Sequence, residues 1–137
     1  MLIQTDYLRH VFDKEEFVRT LNNAENDIME WGDDFDSIAF TGVSGAALAF
    51  PLSVSLDKSL LCVRKRGESN HSPFVVEGYI DTMSYIIVDD FVHSGATIRR
   101  IIREIKLVAP AAIAKGIYLY KDQYNLDLIS IPVIPYV

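Results

Sequence analysis

The spacing of apolar residues predicts a first helix near the start of the chain. Apolar side chains recur at helical intervals from Phe17 to Ile28, so they form one stripe on a helix face. Asp13 and Glu16 have the spacing of a capping box, in which a side chain accepts hydrogen bonds from the free amides at the start of a helix. Gly32 follows the stripe and is typical of a helix end. We therefore expect a helix that begins near Asp13 and ends near Gly32.

Short runs of apolar, often β-branched residues then predict buried strands. Such runs are typical of parallel strands that are covered on both faces. The expected strands lie at 37–40, 60–63, 74–80, 85–88 and 112–120, with an apolar edge segment at 129–137. Helices are expected after a glycine turn at 42–45, where Pro51 should kink or end the helix, and after Thr97. This alternation predicts an α/β fold, a single Rossmann-like domain with a central parallel sheet flanked by helices.

The composition is that of one globular domain. Of the 137 residues, 50% are hydrophobic and 23% are charged, which allows a real core and excludes a disordered or collagen-like chain. No stretch approaches the ~18–20 apolar residues of a membrane span, and we recognise no signal peptide. The single cysteine, Cys62, excludes an internal disulfide and indicates a reducing compartment. We expect a cytoplasmic protein with no membrane partner.

The net charge argues against a nucleic-acid partner. Thirteen Lys and Arg residues stand against nineteen Asp and Glu residues, which gives a net charge of −6 at pH 7. Binding to a phosphate backbone needs a basic face. The charge still allows a local basic pocket for a small phosphorylated ligand.

Three polar loops follow expected strands, at 41–45, 64–72 and 89–97. In a parallel sheet these loops meet at the carboxyl edge, where ligands bind. Asp89 and Asp90 end a buried strand. Adjacent carboxylates can accept hydrogen bonds from vicinal hydroxyls or hold Mg²⁺. Ser94 to Thr97 begin a helix, whose free amides and hydroxyls suit a phosphate. Together these groups predict a site for a sugar phosphate.

The run YIIVDDFVHSGAT, residues 85–97, resembles the phosphoribosyl-pyrophosphate (PRPP) signature of the type I phosphoribosyltransferases. In that signature an apolar strand, two acidic residues and a short loop precede Thr/Ser-Gly-x-Thr. The resemblance is nearest to the orotate and purine branches and covers roughly residues 36–120. It implies one phosphoribosyltransferase-like domain over 1–137, with a core of about 36–120 and a small base-binding hood from 1–35 and 121–137.

The resemblance implies transfer of 5-phosphoribose from PRPP to a nucleobase, with Mg²⁺ as cofactor, release of pyrophosphate and assembly as a homodimer. Asp89 and Asp90 would bind the ribose hydroxyls and the metal. Asp90, His93 and Lys65 are the expected catalytic residues. His93 would contact the base or its proton, or else donate to the phosphate or point to solvent. The expected substrate-binding residues are Val43, Ser44, Gly45, Arg64, Lys65, Asp89, Asp90, Phe91, Val92, His93, Ser94, Gly95, Ala96 and Thr97.

Two departures from the family pattern leave alternatives open. The loop at 64–72 resembles that of orotate phosphoribosyltransferases, but it lacks the second Lys and its spacing to His71 is longer, which leaves the base open. Ser44 stands in a loop that often contains Lys or Arg. A non-catalytic regulatory protein that binds PRPP or a nucleotide on the same fold is therefore the main alternative. An unrelated α/β enzyme of sugar phosphates is the third.

Overall fold

The centre of the protein is a mixed β-sheet with helices on both faces. The structure is a computed structural model that describes residues 2–6, 8–32, 34–65 and 73–137. These residues form five strands and four α-helices. In chain order these are α1 (Arg9–Phe12), α2 (Lys14–Trp31), β1 (Ser37–Phe40), α3 (Gly42–Leu56), β2 (Ser59–Val63), β3 (Val76–Gly78), β4 (Ser84–Asp89), α4 (Ala96–Val108) and β5 (Ile113–Leu119), followed by a 3-10 turn at Leu126–Leu128.

The strand order across the sheet is β3-β2-β1-β4-β5. β1 runs parallel to β2 and β4, and β4 runs parallel to β5, which confirms the expected parallel core. Ile38 on the central strand lies opposite Leu60 on one side and Ile86 on the other. The edge strand β3 pairs antiparallel with β2, so the sheet is mixed rather than wholly parallel.

Alternating strand residues pack against helices on the two faces of the sheet. Ile38 and Ile86 lie in a core that contains residues of α2 and α3, whereas Ala39 and Ile87 lie in a core with the buried residues of α4. This alternation follows from the two-residue period of a strand. The expected arrangement of helices flanking the sheet is confirmed.

The first predicted helix is present with its predicted ends. The side chain of Asp13 accepts the amides of Glu15 and Glu16 at 3.1 and 3.2 Å, and Gly32 adopts a left-handed conformation at the C-cap. The amide of Asp13 itself donates to the carbonyl of Arg9, in a short preceding helix that we had not predicted.

Pro51 does not end α3, so of the two expectations for this residue the helix end was wrong. The helix begins at Gly42 and continues through Pro51 to Leu56. An interior proline costs roughly 3 kcal/mol because it removes a helical hydrogen bond. Leu48, Ala49 and Leu52 are fully buried around it, and their packing offsets that cost.

The last apolar segment lies along β5, as expected. The amide of Ile117 donates to the carbonyl of Pro132, and the amide of Ile134 donates back to the carbonyl of Ile117. Ile134 is fully buried in the core beside α2 and α3. Among the described residues, no helix is both long and apolar enough to cross a membrane.

Candidate functional site

A cavity of about 220 Å³ lies at the carboxyl edge of the sheet. The ends of β1, β2 and β4 and the start of α4 form its walls, because parallel strands that end at one edge bring their loops together. Its lining residues are Thr41, Ser44, Lys65, Asp89, Asp90, Phe91, Val92, His93, Ser94, Gly95, Thr97 and Ile98. The three loops expected to form a ligand site therefore each contribute to one cavity.

The acidic pair is nearly buried at the end of β4. Asp89 is 7% exposed and Asp90 is 6% exposed. The amide of Asp90 donates to Oδ1 of Asp89 at 2.9 Å, and the amide of Phe91 donates to Oδ1 of Asp90 at 2.9 Å. The hydroxyl of Ser44 also donates to Oδ1 of Asp89, at 3.3 Å. These hydrogen bonds fix the orientation of both carboxylates at the cavity wall.

Burial and, to a smaller extent, the neighbouring charge of Asp90 raise the pKa of Asp89 from its ordinary 3.8 to about 7. The hydrogen bonds from the Asp90 amide and the Ser44 hydroxyl act in the opposite direction. The described residues contain no group of three or more His, Cys, Asp or Glu side chains that could hold a metal alone. Two carboxylates do suit Mg²⁺, which commonly takes one or two carboxylates together with substrate phosphates and water.

The loop between β4 and α4 packs closely against the segment at Leu128. Gly95 has a φ of 80°, and a Cβ there would lie 2.9 Å from the carbonyl oxygen of Leu128, so a larger residue does not fit. α4 begins at the next residue, and the amide of Ala96 donates to the hydroxyl of Ser94 at 3.3 Å. The amides at a helix start attract anions. This loop is therefore suited to a phosphate group.

Lys65 lies over the first turn of α3. A Cβ at Gly42 would lie 3.1 Å from both Cε and Nζ of Lys65. The N-terminus of α3 has no side-chain cap, because the hydroxyl of Thr41 donates to the carbonyl of Val63 instead. A helix N-terminus has a partial positive charge, so an ammonium beside it is favourable only with an anion between them. The two groups together define a second anion-binding position.

The structure brings most of the expected site residues together. Ten of the fourteen expected substrate-binding residues line the cavity: Ser44, Lys65, Asp89, Asp90, Phe91, Val92, His93, Ser94, Gly95 and Thr97. The three expected catalytic residues are among them. Of the loop expected at 64–72, the remainder from Arg66 to Ser72, which includes His71, lies outside the described residues.

Four expected residues lie away from the cavity, for different reasons. The guanidinium of Arg64 pairs with Glu77 of β3 at 3.2 Å and is directed away from the site. A Cβ at Gly45 would lie 3.0 Å from Cβ of Phe40, so this glycine allows α3 to pack on the sheet. Val43 is 64% exposed and lines a neighbouring groove. The side chain of Ala96 is exposed at the first turn of α4.

Two residues outside the expected set, Asn125 and Tyr120, support the site. The side-chain amide of Asn125 donates to the carbonyls of Val92 and His93 at 3.1 and 3.3 Å. The hydroxyl of Tyr120 donates to the carbonyl of Ser44 at 2.6 Å. Tyr120 directly follows β5 at the same sheet edge, and this place after a strand is a sequence signal for a position near the site. Asn125 has no comparable signal, because it contacts residues more than thirty positions away.

A second cavity, of about 390 Å³, adjoins the first. It lies between α2 and the end of β5 and is lined by His10, Glu16, Arg19, Thr20, Asn23, Asp27, Tyr118, Tyr120, Lys121, Tyr136 and Val137. The ammonium of Lys121 lies 5.2 Å from the ring centroid of Phe91, which lines the first cavity. Residues from both expected hood segments, 1–35 and 121–137, therefore form a polar pocket beside the acidic pair.

Solved structures show the same fold. No protein-family model and no curated protein sequence matches the chain. Adenine phosphoribosyltransferase from Thermoanaerobacter pseudethanolicus is similar with a TM-score of 0.70 and 19% identity, over 97% of this chain and 86% of that one. Orotate phosphoribosyltransferase from Aeropyrum pernix is similar with a TM-score of 0.70 and 14% identity, over 95% and 75% of the two chains. The fold is that of the type I phosphoribosyltransferases.

A further similar structure contains ligands. Adenine phosphoribosyltransferase from Trypanosoma brucei, solved with AMP, pyrophosphate and ribose-5-phosphate, has a TM-score of 0.57 and 10% identity. The likeness covers 77% of this chain and 52% of that one. At these identities the likeness shows the fold alone.

Proposed function

We propose that the protein is a phosphoribosyltransferase that transfers 5-phosphoribose from PRPP to a nucleobase and releases pyrophosphate. The main support is that an acidic pair and two anion-binding positions line one cavity, as a ligand with a diol between two phosphate groups requires. The fold shared with adenine and orotate phosphoribosyltransferases gives this chemistry preference over other reactions of sugar phosphates.

The phosphoribosyl group occupies the acidic pair and the start of α4. The carboxylates of Asp89 and Asp90 accept hydrogen bonds from the ribose hydroxyls, and the amides and hydroxyls of residues 93–97 bind the 5-phosphate. His93 lines the first cavity and not the second, which favours contact with the phosphoribosyl group over contact with the base. The side-chain amide of Asn125 holds this loop through hydrogen bonds to the carbonyls of Val92 and His93.

The pyrophosphate group occupies the first turn of α3. Lys65 and the uncapped amides of this turn stabilise the negative charge that grows on pyrophosphate as it leaves. Asp89 and Asp90 would hold Mg²⁺, which when bound neutralises part of that charge. Departure of pyrophosphate leaves positive charge on the ribose ring, as in glycoside chemistry, and the nearby carboxylates stabilise it.

The nucleobase occupies the second cavity. Two residues of this pocket, Tyr120 and Lys121, donate hydrogen bonds from their amides to the carbonyls of Asp89 and Asp90, so a base placed there lies beside the acidic pair. Its walls offer acidic, basic and hydroxyl side chains, as recognition of a heterocycle by hydrogen bonds requires.

A non-catalytic protein that binds PRPP or a nucleotide is the second candidate. It is favoured by the position of Arg64, whose pairing with Glu77 leaves Lys65 as the one Lys or Arg among the described residues lining the first cavity. Assembly as a homodimer and a cytoplasmic location stay predictions.

Product formation separates the two candidates. The protein is incubated with PRPP, Mg²⁺ and each common nucleobase, and nucleotide and pyrophosphate are quantified by chromatography and mass spectrometry. The Asp89→Asn/Asp90→Asn variant is the negative control. Nucleotide formed by the wild type and lost in the variant supports the enzyme. PRPP binding without any product supports the regulatory protein, and absence of binding contradicts both.

A further inference from the structure

The guanidinium of Arg100 donates hydrogen bonds to the residues that follow two neighbouring strands, β1 and β2. Its Nη1 donates to the carbonyl of Arg64 at 2.6 Å, and its Nη2 donates to the hydroxyl of Thr41 at 3.0 Å. The same hydroxyl donates to the carbonyl of Val63 at 2.5 Å. One side chain on α4 thus connects the end of β1 with the end of β2.

These hydrogen bonds fix the two segments that provide the second anion-binding position. Thr41 directly precedes Gly42, where α3 begins, and Arg64 directly precedes Lys65. The positions of the Lys65 ammonium and of the α3 amides therefore depend on the backbone that Arg100 holds. Arg100 itself belongs to α4, which begins at the loop suited to a phosphate, so all three loops of the cavity are linked through it.

The charge of Arg100 adds to this effect. Both of its hydrogen-bond acceptors are neutral oxygens. Within the described part of the chain, no carboxylate lies within ion-pair distance of its guanidinium. Its positive charge therefore contributes to the electrostatic potential at the neighbouring anion position. The protein screens this charge less than water would.

We propose that Arg100 is a positioning residue that holds Lys65 and the first turn of α3 in the arrangement that binds pyrophosphate. The proposal rests on the proposed function, because it assigns that anion position to the pyrophosphate group. A purely structural arginine would affect stability and both ends of the ligand site alike. A positioning residue affects pyrophosphate selectively.

The test measures the two halves of the substrate separately. Pyrophosphate and ribose 5-phosphate, each with Mg²⁺, are titrated by calorimetry into the wild type, Arg100→Met, Arg100→Lys and Arg103→Met. Arg103 is exposed on the same helix and controls for the loss of one positive charge. We expect Arg100→Met to weaken pyrophosphate binding about tenfold and to leave ribose 5-phosphate within about twofold. Arg100→Lys should recover part of the loss, and Arg103→Met should leave both affinities unchanged.

A pair of variants at Thr41 provides an independent measurement. Thr41→Val removes the hydroxyl that accepts the Arg100 hydrogen bond, whereas Thr41→Ser retains it. If the two residues act through one another, Arg100→Met combined with Thr41→Val weakens pyrophosphate binding no more than the stronger single variant. Thr41→Ser should bind pyrophosphate more tightly than Thr41→Val.

Each other outcome has a distinct meaning. A wild type that binds both ligands, with an Arg100→Met variant that loses neither or loses both equally, overturns the positioning role and leaves the proposed function intact. A wild type that binds neither ligand overturns the proposed function and this proposal with it. If Arg100→Met fails to fold, the Thr41 pair decides: selective loss of pyrophosphate in Thr41→Val supports the proposal, and equal loss or no loss overturns it.

Discussion

The hydroxyl of Ser44 donates a hydrogen bond to Oδ1 of Asp89 at 3.3 Å, across 45 positions of sequence. Ser44 lies in the first turn of α3 and Asp89 ends β4, so this bond connects the anion position at α3 with the acidic pair. The carbonyl of Ser44 accepts the hydroxyl of Tyr120, which ties the same turn to the end of β5. The acidic pair and the first turn of α3 therefore orient one another before a ligand binds to either.

The raised pKa of Asp89 predicts a pH-dependent stability. Its value of about 7 in the folded chain exceeds the ordinary 3.8, so the folded protein binds this proton more tightly than the unfolded chain. The resulting stability is fully present below the ordinary value and is lost as pH rises through about 7. Asp89→Asn removes this loss and retains an oxygen that accepts from Ser44.

Thermal melts over a pH series check this prediction. Asp89→Asn should be more stable than the wild type by on the order of 3 kcal/mol above about pH 7, and the difference should shrink toward about pH 4. Asp34→Asn, an exposed site, is the matched control. A difference between Asp89→Asn and the wild type that stays constant with pH would contradict the raised pKa.

Removal of the Lys65 ammonium should weaken pyrophosphate binding selectively. Because Lys65 lies over Gly42, Lys65→Met removes a positive charge from the start of α3. We expect an affinity for pyrophosphate about tenfold lower and an almost unchanged affinity for ribose 5-phosphate, measured by calorimetry. Lys106→Met, on an exposed position of α4, controls for charge. Equal losses for both ligands would argue against this placement of pyrophosphate.

Asn125→Gly should give the opposite selectivity. Asn125 has a φ of 61°, a conformation that glycine adopts readily, so the substitution removes the two hydrogen bonds to Val92 and His93 with little backbone strain. The loop at 93–97 should become more mobile, and the affinity for ribose 5-phosphate should fall about fivefold while that for pyrophosphate is kept. Calorimetry with the same two ligands provides the measurement. Unchanged ribose 5-phosphate binding would show that Asn125 does not order this loop.

The contact between α2 and β5 depends on a buried carboxylate. The hydroxyl of Tyr118 donates to Oδ2 of Asp27 at 2.6 Å, and the amide of Val137 donates to Oδ1 at 2.8 Å. Tyr118→Phe leaves Asp27 with one donor fewer in a buried position, which should lower the free energy of unfolding by about 1–3 kcal/mol. Urea denaturation measures this change. Tyr124→Phe, at an exposed ring, should leave it unaltered, and an equal effect at both tyrosines would exclude the Asp27 contact as the cause.

Features with local determinants were predictable from the sequence. The cap at Asp13, the apolar run of β4 and the motif at 85–97 each depend on neighbouring residues, and the structure contains all three elements. Other features depend on packing between distant segments. Pro51 remains inside α3 because buried side chains around it outweigh its cost, and spacing alone does not reveal that burial.

The adjacent cations Arg64 and Lys65 show the same limit at the site. Successive side chains of an extended chain point to opposite faces, so only one of the two can face the cavity. Arg64 pairs with Glu77 of β3, and Lys65 faces the ligand site. The choice depends on the antiparallel pairing of β3 with β2, which no local pattern indicated. Arg100 and Asn125 escaped prediction for the same reason, since their partners lie in other elements.

The proposed function depends on binding of PRPP by the acidic pair and the two anion positions. Calorimetric titration of PRPP with Mg²⁺ into the wild type and into Asp89→Asn/Asp90→Asn tests it most directly, with Asp34→Asn/Asp81→Asn as a control of equal charge change at exposed positions. We predict saturable binding in the wild type and the control, and its loss in the acidic-pair variant. Absence of binding in the wild type at about millimolar PRPP, or equal binding in all three proteins, would show that PRPP does not bind at the acidic pair.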